Sequence, residues 1–388
     1  DYNNLSSDII KFNSKVLSDY LLSKENLVLS IDDISDLFDT DIPNNISIPV
    51  DEITDDIVVK YLFFIQSSTS FFGDFINPQF FELLLTRNGT TVNLTSYSYF
   101  ENNDIGKIQA SVVDNNTISV SFVPVNPFNT LSIRALREDA NYEVGIVTTS
   151  YGYARNVAIT TYYSSEISPT QKVIYSIPIS ECSSGTLFVG ISSAFNNIQS
   201  SVEMSFLYNP GTLEYNVYTQ NELVGLGTVG VVDSGGNILV TYDGVPGIGV
   251  TVYANVTFLD NTLSSPNIIT DTLTRLNSSM ITGSYTIGAA EVISTVSGDY
   301  GVSKFGVEVT KTVGLTTQKS FIQIDSIHYI QDTYLNNINY SILGNIDDLE
   351  FNTIYDLASN SYVLTYTPAS NADYSIKFFE KNILSVRT

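Results

Sequence analysis

Taken two residues at a time, the stretch ISVSFVPVN puts Ile118, Val120 and Phe122 on one side and polar or smaller groups on the other. The pattern returns in ILVTYDGVP, with Ile238, Val240 and Tyr242, and again in YVLTYTPAS, with Tyr362, Leu364 and Tyr366. Each is predicted to be a strand buried on one face. Burying three such side chains contributes about 1.5 to 3 kcal/mol apiece before entropy is counted, enough to hold the register. Pro124, Gly244 and Pro368 stand at matching places, where a missing donor or a flexible backbone ends the pairing.

The likeness extends in both directions. Downstream, LSIRALR, VTVYANV and YSIKFFE supply a second alternating strand, matching Leu131, Ile133 and Ala135 to Val250, Val252 and Ala254 and to Tyr374, Ile376 and Phe378. Upstream, YSYFENNDIGKIQASVVDN, YNVYTQNELVGLGTVGVVD and YSILGNIDDLEFNTIYDLA share an aromatic start, a polar turn and an apolar run. KYLFFIQ, KVIYSIPI and KFGVEVTK also align by their lysines, Lys60, Lys172 and Lys304.

These recurrences predict an all-β chain of three tandem homologous antiparallel β-sandwich modules, over residues 51–140, 141–262 and 263–388. Barrels and jelly rolls are alternatives, because strand pairing is not written in the repeat. The stretches ANYEVGIVTTSYGYARN and DNTLSSPNIITDTLTRLN read as extended crossovers that donate an opening strand to the module after them. One design copied along the chain predicts a rod-like series of separate cores.

Residues 1–50 differ. Ile9, Phe12 and Val16 fall at helical spacing behind Ser7 as a cap, which predicts a short amphipathic helix suited to anchoring on a module or another subunit. An acidic connector, SIDDISDLFDTDIPNNISIP, follows. It lacks the glycine turn and distal glutamate of a helix–loop–helix calcium site and reads as a solvated linker.

Composition narrows the function. The net charge is −24, yet only 15% of residues are charged, so much of the surface is neutral Asn, Ser, Thr and Tyr. With no run of Lys or Arg, neither nucleic acid nor an anionic membrane is an expected partner. No apolar stretch reaches the length of a spanning helix, and VVKYLFFIQ is interrupted by Lys60. Cys182 stands alone, so no intramolecular disulfide forms; it reads as a small buried hydrophobe. The first residue is Asp1, so the numbering starts after an amino end that was removed or inside a longer chain.

Candidate chemistry is thin. A Ser/His/Asp or Cys/His catalyst needs an imidazole, and the one histidine, His328, lies in the strand pattern SFIQIDSIHYIQD. Paired carboxylates for glycoside cleavage are arithmetically available, but no tryptophan offers a sugar platform. GLGTVG, at Gly225, falls within a strand repeat and reads as a bulge or tight packing, not as a phosphate loop. No catalytic, cofactor-binding or metal residue is singled out, and the chain is not expected to be an enzyme or to carry a cofactor.

The blocks KYLFFIQ, FFELLLTRNGTTVNLTSYSYFENND, ISVSFVPVNPFNTLSIRALRE, ILVTYDGVPGIGVTVYANVTFL and YVLTYTPASNADYSIKFFEKN resemble the repeated modules of virion structural proteins of marine, cyanobacterium-infecting tailed phages. The likeness covers about residues 55 to 381. It implies a β-rich particle component located in the virion: a fibre, a neck or tail appendage, or a capsid decoration. It further implies that the protein assembles as a homo-oligomer with other virion proteins as partners, and carries over no catalytic residue. Two other readings fit the same repeats. One is a receptor-binding adhesin whose turns, near Asp104 or Glu222, recognise a host surface glycan. The other is a cell-surface layer or filament protein.

Overall fold

The computed structural model describes residues 27–32, 47–54, 58–68, 77–101, 105–114, 117–125, 130–139, 145–164, 171–193, 198–222, 226–263, 267–270, 274–329, 334–346 and 349–384. The helix expected from Ser7 and most of the acidic connector lie outside these residues. Every regular element among them is a β-strand, and every strand pairing is antiparallel.

The first run holds β1 (Leu27–Asp32), β2 (Ile48–Thr54), β3 (Val59–Ser68), β4 (Asn77–Asn88), β5 (Thr91–Glu101), β6 (Gly106–Val112), β7 (Thr117–Pro124) and β8 (Thr130–Asp139). The second holds β9 (Gly145–Tyr151), β10 (Ala154–Tyr163), β11 (Lys172–Pro178), β12 (Cys182–Ser193), β13 (Ile198–Asn209), β14 (Thr212–Glu222), β15 (Gly227–Ser234), β16 (Asn237–Gly244) and β17 (Val250–Asp260). The third holds β18 (Asn267–Thr270), β19 (Thr274–Tyr285), β20 (Glu291–Ser297), β21 (Tyr300–Val313), β22 (Thr316–Tyr329), β23 (Tyr334–Gly344), β24 (Leu349–Asp356), β25 (Ser361–Pro368) and β26 (Ala372–Leu384).

One pairing scheme serves all three runs. The large strand sets read β1-β8-β3-β4-β5, β9-β10-β17-β12-β13-β14 and β18-β19-β26-β21-β22-β23, the first two joined into one eleven-stranded sheet where Asn88 of β4 pairs with Ile198 of β13; the small sheets read β2-β7-β6, β11-β16-β15 and β20-β25-β24. Between the large and small sheet of each pair lies an apolar core drawn from both, a β-sandwich-like packing. Val120, Val240 and Leu364 sit at corresponding places in the central strands β7, β16 and β25, each fully buried. Opposite each of them the edge strand bulges, between Pro49 and Asp51, Val173 and Tyr175, and Val292 and Ser294. The extra residues, Val50, Ile174 and Ile293, turn into the core. The crossover stretches supply β9–β10 and β18–β19, which open the second and third large sheets.

Two expectations need revision. The lysine alignment puts KVIYSIPI beside KYLFFIQ and KFGVEVTK, but Lys172 starts the small-sheet strand β11, while Lys60 and Lys304 lie in the large-sheet strands β3 and β21. The counterpart by sheet position is β12, which lies between β17 and β13 as β3 lies between β8 and β4 and β21 between β26 and β22. Nor do the sheet pairs form a rod. The strands β4, β13 and β22 are mutual neighbours, so each sheet pair touches both others. The physical reason is the outer face of the large sheets, where Leu62, Phe64, Leu84, Phe188, Leu207 and Phe321 are apolar and need cover.

Candidate functional site

In β3 the inward residues Val59, Tyr61, Phe63 and Ile65 fill the first core, which turns Lys60 to the opposite face. By the same alternation Phe81, Leu83 and Leu85 of β4 point in and Glu82 out, and Val202, Met204 and Phe206 of β13 point in and Glu203 out. On β21, Phe305, Val307 and Val309 point in and Lys304 out. Those outward faces meet where the three sheet pairs join, and there the buried Lys60, Glu82 and Glu203 come together with a half-buried Lys304.

Lys60 Nζ lies 2.9 Å from Glu82 Oε2 and donates a second bond to Glu203 Oε1. Lys304 Nζ donates to Glu82 Oε1. Tyr97, on β5, places its hydroxyl 3.0 Å from Glu82 Oε2 and also beside Glu203 Oε2, and its ring centroid lies 5.9 Å from the Lys60 ammonium. A phenol has one proton, so Tyr97 donates to one carboxylate at a time. Burial works against the charge on Glu82, but Lys304 and Lys60 outweigh it and hold the carboxyl well below its usual range. For Glu203 burial prevails over the pull of Lys60, and with Glu82 close by its carboxyl is pushed up.

Sheet register shows how the cluster arises. Ile65, Ile191 and Val309 face Ile133, Val252 and Ile376, the residues matched in the repeats; counting back five positions gives Lys60, Thr186 and Lys304. Likewise Leu62 faces Glu82, Phe188 faces Glu203 and Gly306 faces Gln323. The first sheet pair therefore brings a lysine and a glutamate, the second a glutamate alone and the third a lysine alone. Three identical copies would crowd three of each; the replacements leave two opposed pairs and distinguish the three contributors.

The surrounding seams are part polar and part apolar. Leu207 and Leu259 meet Phe321, Leu343 and Phe379 between the second and third sheet pairs, and Val58 and Leu84 meet Phe188 and Tyr253 between the first and second. Glu308 of β21 accepts hydrogen bonds from Ser183 Oγ and, at 2.7 Å, Ser184 Oγ of β12. Ser278 Oγ donates to Tyr151 O and accepts from Tyr153 N, each at 2.6 Å, and Gly344 N donates to Glu214 at 2.9 Å. These are contacts of a closed junction. Their chemistry is to fix one element against another.

Further buried charges lie inside single sheet pairs. Asp51 accepts from Tyr61 and, at 3.0 Å, from Arg137. At the corresponding place in the third pair Ser294 donates to Glu380, which also accepts from Asn277 and Asn382, both at 3.1 Å. Cys182 is buried, its Sγ 3.6 Å from Ser184 O, and burial, with Glu308 nearby, raises its thiol well above the usual range. The backbone of His328 pairs with Leu335 between β22 and β23. Within the GLGTVG stretch, Gly227 has φ +114°, and a Cβ there would lie 2.3 Å from Asp243 O, so tight packing is what it supplies. Among the described residues no group of three or more metal-ligating side chains gathers.

Sequence reasoning named none of the four junction charges as a site. The available signal was a single charge inside an unbroken apolar run, VVKYLFFI and FFELLL, the mark of a strand covered on both faces. Comparison with known protein families and with curated proteins gives no match to this chain.

Proposed function

We propose that this chain is a non-enzymatic structural protein of a tailed-phage virion, built from three tandem homologous antiparallel β-sandwich modules and present in many copies. The observation that carries the modular reading is the threefold return of one strand order together with its bulge opposite Val120, Val240 and Leu364. Modules that keep their inward faces and vary their turns suit a protein whose task is to hold shape and present surface. The assignment to a virion rests on the resemblance of the repeated blocks. The mutual packing of the modules favours a compact appendage or decoration over a thin fibre.

Purified particles of a phage whose genome encodes the chain provide the test. The chain should be found by mass spectrometry in washed virions at many copies per particle, and antibody labelling should mark one class of position. Its absence from particles, with the protein recovered only from host cell surface or medium, overturns the reading in favour of a cell-surface layer or secreted adhesin.

A further inference from the structure

The contacts at the junction repeat in one direction. Lys60 of the first sheet pair reaches Glu203 of the second, and Lys304 of the third reaches Glu82 of the first. Lys60 and Lys304 hold corresponding places, as do Glu82 and Glu203, so one contact recurs from first to second and from third to first. A seam contact repeats between the other units. Gly190, four places after Thr186, faces Val58, two places before Lys60; Glu308, four places after Lys304, binds Ser184, two places before Thr186. The step from first to second is thus also the step from second to third. A step that returns to its start after three repeats is a rotation by a third of a turn, the closed head-to-tail contact of a cyclic trimer written into one chain.

The axis of that rotation passes through the junction. Asn88, at the end of β4, pairs with Ile198, at the start of β13. Strands related by the rotation bring an end against a start only when they lie across the axis, so the strand order of each large set runs along it. The edge strands β5, β14 and β23 therefore stand at one end, where β14 neighbours both of the others. Each of these three has 11 residues. The opposite edges are unlike: β9 has 7 residues, β18 has 4, and among the described residues the first unit sets β1 directly on β8 with no strand beyond it. On the alike edges Tyr215 and Val217 of β14 and Ile342 of β23 are exposed, at 51%, 41% and 54%. An end that keeps its threefold likeness and leaves apolar groups uncovered suits three like protein surfaces arranged around an axis.

We propose that the end bordered by β5, β14 and β23 docks on three like protein subunits around an exact or local threefold axis of the particle, one copy of the chain to each axis. This rests on the virion reading above. Averaged electron-microscope images of washed particles, with quantitative mass spectrometry, test it. The chain should lie on threefold positions with that end against the particle, one copy to every three of the subunits beneath it. A chain carrying both Tyr215→Glu and Val217→Lys should show about tenfold lower occupancy with the urea midpoint of the free protein unchanged. Should that variant fail to fold, the images of the unaltered chain decide. A chain seated off every threefold position, or with the β9 and β18 end against the particle, or held as tightly by the folded variant, overturns the docking proposal and leaves the virion reading standing. Absence from washed particles overturns both.

Discussion

Glu82 receives the ammonium of Lys60 at 2.9 Å from the adjacent strand and that of Lys304 from a strand 222 residues further along the chain. The first contact lies within one sheet pair and the second spans two. One buried carboxylate thus links folding within a unit to packing between units.

Replacing Lys304 by Met leaves Glu82 with one cation instead of two in a buried setting. Removing one partner of a buried ion pair costs roughly 3–5 kcal/mol. Equilibrium urea unfolding should show a loss of that order in Lys304→Met. A loss near the scatter of surface substitutions would mean that the junction is open to water.

The two glutamates should respond in opposite ways. The Glu82 carboxyl is held below its ordinary value of 4.5, so its contribution is complete above that value and drains away as pH falls through it toward the lower folded value. Glu203 is raised above 4.5, so its ionised form costs stability near neutral pH, and the cost is relieved as pH falls through the raised value. Glu82→Gln should therefore lose about 3–5 kcal/mol at neutral pH, whereas Glu203→Gln should change stability by under about 1 kcal/mol in either direction. Unfolding curves collected from neutral to acid pH check both the sizes and the signs.

The repeats were legible because alternation is local. Ile118, Val120 and Phe122 announce their strand within five residues, as do Ile238, Val240 and Tyr242, and the bulges opposite them follow. Lys172 misled because residue type at the head of an apolar run does not say which sheet the run joins. The junction was illegible for a different reason. Lys60 and Glu203 are 143 residues apart, and nothing local tells that both outward faces will be covered. Thr186 and Gln323, which stand where a lysine and a glutamate would otherwise crowd the centre, acquire meaning only once the register is known.

Packing at the seam between the first and second sheet pairs admits a separate test. A Cβ added at Gly190 would come within 2.7 Å of Val58 Cβ, closer than such atoms approach. Gly190→Ala should cost about 1–3 kcal/mol by forcing the two faces apart. An unaffected unfolding midpoint would show that Val58 and Gly190 do not face each other.

Within the second sheet pair, the buried hydroxyl of Tyr242 donates to Leu226 O at 2.5 Å, and burial, with Tyr163 nearby, pushes its pKa up to about 12. The first pair has Phe122 at that place, with Gly106 close against its ring. Tyr242→Phe leaves the Leu226 carbonyl without this donor and should cost about 1–2 kcal/mol, measured by denaturant unfolding. No loss would argue against the bond.

The central claim is that three like sheet pairs close on one another around Lys60, Glu82, Glu203 and Lys304. Small-angle X-ray scattering of the full chain tests it most directly. A compact body of this length has a radius of gyration of about 21 Å, and a value close to that is expected. A radius above about 30 Å, as a linear string of three domains of this size would give, would contradict the account.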